Sequence, residues 1–200
     1  MKRLICLILF SCILAFSLTS CINSANYLGV NEKDDGTVTV WAGEAMYLSK
    51  ITIPSKIDGK PVVAIDISAF RMNDYIREIN IKAGPTEIGN YAFGWCRYLE
   101  KVTLPDTITD IGSDAFYSCY SLEEIKIPNG VTDIKSGTFY NCRSLELVDI
   151  PASVTSIAED AFTNCTSLRT IRFGGSKEEW MAMVDPNSTD LKDVDIICGK

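Results

Sequence analysis

The chain has 200 residues, 22% of them charged, with a formal net charge of -7. That balance argues against nucleic acid as a partner, which calls for clustered Lys and Arg. There is no histidine, which removes Ser-His-Asp triads, Cys-His dyads and histidine-based zinc sites and leaves any enzyme with carboxylates, Lys, Tyr or Cys alone.

Residues 1–21 read as an export signal. Lys2 and Arg3 precede an apolar run from Leu4 to Leu18 that is short for a membrane span. The run ends in Leu18-Thr19-Ser20-Cys21, which resembles the bacterial lipoprotein signal, in which the cysteine is lipidated and becomes the new N-terminus. Cys21 is thus the expected lipidation site, and an ordinary secretory signal is the alternative. Cleavage removes Lys2 and Arg3 and takes the side-chain charge from -7 to -9. The implied place is the extracytoplasmic side of a membrane, at the cell surface, held by the N-terminal lipid only.

Residues 22–30 read as a polar tether and 31–61 as an N-terminal cap. Asp34-Asp35-Gly36 is a turn signal, Thr37 to Trp41 alternates like a strand, and Ile51-Thr52-Ile53-Pro54 reads as a second strand ended by proline.

Residues 62–173 then repeat themselves every 23 positions. Ala92-Phe93, Cys96, Leu99, Val102 and Leu104-Pro105 become Ala115-Phe116, Cys119, Leu122, Ile125 and Ile127-Pro128, and then Phe139, Cys142, Leu145, Val148 and Ile150-Pro151. Phe162, Cys165, Leu168 and Ile171 continue the series, and Phe70, Asn73 and Ile76 precede it. A fixed period in the twenties marks a solenoid whose coils bury their apolar side chains only by stacking. Val102-Thr103-Leu104 alternates in-out-in like a short strand, and Pro105 ends it because it has no N–H to donate. Ser113 or Asp114 is expected to cap a single helical turn carrying Ala115 and Phe116. The five phenylalanines should form one aromatic column. The fold class is therefore mainly β with short helical turns: a right-handed solenoid of 23-residue coils, capped at both ends.

Residues 174–200 read as a C-terminal cap. Ser176-Lys177-Glu178-Glu179 is a capping box opening a helix with Trp180, Met183 and Val184 inward. Leu191, Val194 and Ile196 fall 23 after Leu168, Ile171 and Phe173, which predicts a degenerate last coil in the same step.

The motif Ala-Phe-x-x-Cys-x-x-Leu-x-x-Ile-x-Ile-Pro-x-x-Val-x-x-Ile, at its best from Ala115 to Ile134, closely resembles the BspA-type leucine-rich repeats of bacterial surface proteins. The resemblance implies surface interaction: adhesion to host matrix proteins or binding of other cells. It supplies no catalytic motif.

Cys96, Cys119, Cys142 and Cys165 invite a metal or disulfide reading. One cysteine per coil spreads the four over about 14 Å at the spacing of neighbouring strands, too far for a single zinc. Stacked parallel side chains aim alike rather than at each other. Buried, unpaired thiols are expected, with no metal and no cofactor. The 185–190 stretch carries oxygen ligands but lacks the calcium-loop glycine and terminal Glu.

A ligand-facing surface is expected on the long sheet. Lys101, Thr103, Glu124, Lys126, Leu147, Asp149, Thr170 and Arg172 form its two outward columns, the second ending at Asp195. Opposite charges on adjacent strands also serve pairing. The alternative contact site is the aromatic corner, Trp95, Tyr117, Tyr120 and Tyr140. Glu124 and Asp149 lack the enclosed cleft a glycosidase pair needs. The function read from the sequence is a surface-held, non-enzymatic binding module with a protein ligand. A glycan-binding or glycan-processing accessory protein and a structural envelope protein are the alternatives.

Overall fold

The computed structural model describes residues 24–184 and 190–199. Cys21, the export signal and most of the 185–190 loop lie outside the described residues. The architecture is the expected β-solenoid, with coils of 23 residues, a long parallel sheet on one side, a mixed sheet continued by a two-stranded one on the other, and a continuous core between them.

Each coil gives one strand to the long sheet, because its residues alternate inward and outward. The strands β3 (Lys50–Ile53), β6 (Glu78–Ile81), β8 (Lys101–Thr103), β10 (Glu124–Lys126), β12 (Leu147–Ile150), β14 (Thr170–Phe173) and β15 (Asp195–Cys198) lie side by side in that order. All are parallel neighbours. A second sheet runs β1 (Gly29–Glu32), β2 (Val38–Trp41), β5 (Lys60–Ile65), β7 (Glu87–Ile88) and β9 (Asp110–Ile111), with β4 (Lys56–Ile57) paired to β5. β11 (Asp133–Ile134) and β13 (Ser156–Ile157) pair with each other. Val40, Ile65, Ile88 and Ile111 form the buried column of this wall.

Between the walls, Phe70, Phe93, Phe116, Phe139 and Phe162 stack with ring centroids 5.3, 5.3, 5.6 and 5.5 Å apart and planes within 11° of parallel. Offset stacking at this distance suits the ring quadrupoles. Leu99, Leu122 and Leu145 are fully enclosed beside them. Burying a Phe or Leu side chain is worth roughly 1.5–3 kcal/mol, and here each coil realises that only against its neighbours.

The corner that carries these phenylalanines is not the expected helical turn. Tyr91, Trp95, Asp114, Ser118, Gly137 and Asn141 have φ between 55° and 63°, so left-handed residues recur every four positions. The cause is visible in the hydrogen bonds. The N–H groups of Tyr91, Phe93 and Trp95 reach the next coil, at Ser113 O, Ala115 O and Tyr117 O, while those of Ala92, Gly94 and Cys96 close short turns within their own coil. An α-helix would direct every N–H along its own axis; this corner gives every second one to the ladder.

Two ends differ from the even step of 23. β3 pairs with β6 at Thr52↔Asn80, a step of 28, so it is the first strand of the long sheet and not only part of a cap. At the other end Arg172 faces Ile197 and Phe173 faces Cys198, a step of 25. Ile197, not Asp195, therefore ends the outward column. The two extra residues leave the in-out parity intact, which is why the sheet continues. Helix α1 (Lys177–Met183) opens on the expected capping box: Glu179 N–H donates to Ser176 Oγ at 3.2 Å and Ser176 N–H to Glu179 Oε2 at 2.7 Å. Trp180 packs on Phe173 at 5.6 Å. Residues 24–30 are packed rather than free of the cap. Ser24 is buried, and its hydroxyl donates to Thr52 O and accepts Thr52 N–H, both at 2.8 Å, covering the outer edge of β3.

Candidate binding surface

The long sheet presents two outward columns in strict register. Lys50, Glu78, Lys101, Glu124, Leu147, Thr170 and Asp195 form one. Thr52, Asn80, Thr103, with Lys126, Asp149, Arg172 and Ile197 on the later strands, form the other. The eight residues expected on this face are thus neighbours on four consecutive strands. Lys101, Thr103, Glu124, Lys126 and Arg172 are exposed, and Leu147, Asp149 and Thr170 are half-buried.

Charge alternates over Lys50, Glu78, Lys101 and Glu124 in the first column and over Lys126, Asp149 and Arg172 in the second. Lys50 Nζ lies 2.9 Å from Glu78 Oε2, and Arg172 Nη1 lies 3.5 Å from Asp149 Oδ1. Lys126 sits directly opposite Asp149 on its other side. Such exposed pairs each contribute only a few tenths of a kcal/mol. Lys126, Asp149 and Arg172 also line a depression of about 380 Å³, together with Pro151 and the exposed Ile197. An exposed apolar residue beside charged groups of both signs suits recognition of a complementary surface.

Lys50 and Thr52 were not among the expected face residues. The signal was present: Ile51-Thr52-Ile53-Pro54 has the same Ile-x-Ile-Pro form as Ile125-Lys126-Ile127-Pro128, masked by the longer step between β3 and β6.

The aromatic corner is built differently. Trp95 and Tyr117 approach at 4.7 Å, and Tyr117 and Tyr140 stack at 4.9 Å with planes 1° apart. Tyr91 stacks on Trp95 at 5.7 Å, and the Arg71 guanidinium lies 4.7 Å from the Trp95 ring. These rings are half-buried and spend their faces on one another, so they offer mainly edges to a partner. Tyr120 is not part of this column; it lies under Arg143, 5.2 Å away.

The cysteines form a column with a specific partner, buried at Cys96, Cys119 and Cys142 and partly exposed at Cys165, where the last full coil has less cover. The thiols of Cys96, Cys119, Cys142 and Cys165 donate to the carbonyls of Phe70, Phe93, Phe116 and Phe139, one coil earlier, at 3.1, 3.2, 3.1 and 3.0 Å. All are free thiols. Burial pushes Cys96 and Cys165 up to about 12 and raises Cys119 and Cys142 well above the ordinary 9.0, because a thiolate there would be desolvated. In the first coil Asn73 takes the cysteine position, and its Oδ1 accepts the N–H groups of Tyr75 and Ile76 at 2.9 and 3.2 Å. Among the described residues no group of three or more Cys, Asp or Glu side chains is placed to hold a metal ion, and no helix is long and apolar enough to cross a membrane.

The family model described as BspA type leucine rich repeat region matches residues 63–184 in six copies. A leucine rich cell surface protein from Faecalibacterium prausnitzii is 30% identical, with a TM-score of 0.71 over 78% of this chain and 40% of that one. The chain therefore spans about two fifths of that protein's length. The T. pallidum leucine rich repeat protein TpLRR is 25% identical, with a TM-score of 0.75 over 88% of this chain and 81% of its own. The pneumococcal vaccine antigen PcpA, 16% identical with a TM-score of 0.57, shares the fold over 86% of this chain. No curated protein matches the sequence.

Proposed function

Because the chain belongs to the BspA-type leucine-rich repeat family, we propose that it is an exported, lipid-anchored, non-enzymatic binding module that engages a protein ligand, on host matrix or another cell, through its long sheet. The observation that carries this is the register of the outward columns, which sets Lys126, Asp149 and Arg172 on adjacent strands along one depression that the exposed Ile197 also lines. Family membership and the description of the Faecalibacterium relative as a cell surface protein support the location. The Cys21 signal supplies the anchor in this reading, with residues 62–173 as the repeat array and the flanking segments 31–61 and 174–200 as its caps.

The strand face is favoured over the aromatic corner because Lys101, Thr103, Glu124, Lys126 and Arg172 are exposed on it, whereas Trp95, Tyr117 and Tyr140 are half-buried and committed to stacking. The test is binding of the purified chain to an array of matrix proteins, followed by titration of the Lys126→Glu, Arg172→Glu double variant. At least a tenfold loss with unchanged circular dichroism is expected. Full binding by the double variant would place the contact elsewhere. Anchoring is tested separately by Cys21→Ala, which should abolish incorporation of a fatty-acid label; persistent labelling would refute the lipid anchor.

A further inference from the structure

A second surface stands apart from the long sheet, on the wall formed by β1, β2 and β5. There Trp41 is 44% exposed at the end of β2. Its cross-strand partner is Gly29. A Cβ at Gly29 would lie 2.1 Å from Trp41 Cε2, 2.4 Å from Nε1 and 2.6 Å from Cδ2. The glycine thus leaves room for the indole to lie across the β1 backbone, with nearly half of the residue's surface open. That open side walls a concavity of about 550 Å³ lined also by Asn31, Asp66, Ile67, Ser68 and Ala69. Asn31 Nδ2 donates to Asp66 Oδ2 at 2.6 Å. The bond fixes both groups side by side and leaves lone pairs on the carboxylate and the amide oxygen, and one amide N–H, for a ligand.

We propose that this concavity is a glycan subsite that takes a neutral pyranose. One face of a pyranose is a plate of C–H groups, which the negative face of an indole attracts. Its edge carries vicinal hydroxyls, which need a planar acceptor beside an N–H donor, as the Asp66–Asn31 pair provides. An apolar platform with a few fixed polar groups is the general form of a small-molecule site. No lysine or arginine lines the concavity, so an anionic sugar would meet Asp66 without a counter-charge. A quaternary or guanidinium cation would find a single aromatic ring rather than a cage. Ile67, 70% exposed at the rim, extends the apolar surface for a neighbouring sugar unit. The subsite is independent of the protein-binding face, which lies on the other sheet.

The purified full chain is screened on an array of neutral and acidic oligosaccharides, and the best neutral oligosaccharide is then titrated by intrinsic tryptophan fluorescence. Neutral pyranose-terminated glycans should be retained. The fluorescence change should saturate and should be absent from Trp41→Ala, which assigns it to Trp41 rather than to the half-buried Trp95 or the buried Trp180. Trp41→Ala should weaken binding at least tenfold. Gly29→Ala, which displaces the indole without removing it, should weaken it severalfold, and Lys126→Glu should leave it unchanged. Should Trp41→Ala fail to fold, the isosteric Asp66→Asn carries the same test with an expected loss of at least fivefold. Retention of acidic glycans alone, absence of any glycan binding, or undiminished binding by Trp41→Ala and Asp66→Asn would overturn the proposal. So would a protein ligand that docks on Trp41 in place of a sugar.

Discussion

The Cys119 thiol donates to the Phe93 carbonyl at 3.2 Å, reaching back one coil to an oxygen that already accepts the Cys96 N–H at 3.1 Å. Two coils are thereby joined at one atom, and the same arrangement recurs at Phe116 and Phe139. Cysteine suits the position because it is small enough for the corner and still brings a donor.

Replacing that donor separates volume from hydrogen bonding. In Cys119→Ser the hydroxyl retains the Phe93 acceptor but buries a more polar group in a slightly larger void. A cost of about 1–2 kcal/mol is expected. Cys119→Val loses the donor and adds a branch to an enclosed corner, and should cost about 1–3 kcal/mol. Urea unfolding followed by circular dichroism gives both values; a valine variant as stable as wild type would show that the thiol–carbonyl bond contributes nothing.

The thiol column should also shape the alkaline limit. The folded-state values of Cys96 and Cys165 are raised from 9.0 to about 12, so the folded chain keeps protons that the unfolded chain releases. This contribution is fully present below pH 9 and is lost as the pH rises towards 12. In that window each such thiol lowers stability by about 1.4 kcal/mol per pH unit. Urea midpoints measured from pH 8 upward should fall, and should fall less steeply in Cys96→Ser. Native protein at pH 8 should react with a thiol reagent only slowly at these positions, whereas unfolded, unreduced protein should yield them all.

Gly137 answers a different constraint. Its φ is +63°, and a Cβ there would lie 2.1 Å from Asp114 Oδ1. Gly137→Ala therefore meets both backbone strain and a collision, and should cost about 1–3 kcal/mol. Adding Asp114→Ala removes the obstructing carboxylate and should restore part of the loss. Thermal unfolding of the single and double variants distinguishes the two causes, since strain alone would leave the double variant no better.

Because Glu124 faces Leu147 and Ile125 faces Val148, one coil is 23 residues of backbone. Deleting residues 116–138 should leave a shorter, folded stack with reduced stability, one inter-coil interface having gone. Deleting residues 116–127 throws the downstream apolar positions out of phase and should give an unfolded spectrum. Comparable β signatures from both deletions would contradict the stacking of equivalent coils.

Phe, Cys and Leu recur at fixed positions, and that recurrence made the period, the aromatic column and the buried thiols legible without coordinates. The unequal end steps were not legible, for a physical reason. Val194 and Ile196, or Ile196 and Cys198, satisfy the same alternation, and a shift of two residues leaves every side chain on its own face. The corner geometry was hidden because the residue type at the left-handed positions varies from coil to coil: Asp114, Gly137 and Asn141 suit that conformation, but Tyr91, Trp95 and Ser118 in the equivalent places do not advertise it. On the candidate surface, register could be read from spacing. The stacking that commits Trp95, Tyr117 and Tyr140 to each other could not, because it depends on ring orientation.

The alternation of N–H groups at the corner has a mechanical consequence. With every second amide bonded across coils and the rest within them, a load along the stack bears on one rung at a time, as in a zipper opened from its end. A load across the strands would shear many rungs at once. A chain of this construction, pulled from one end of the stack, should lengthen by shedding coils one after another rather than by parting all at once.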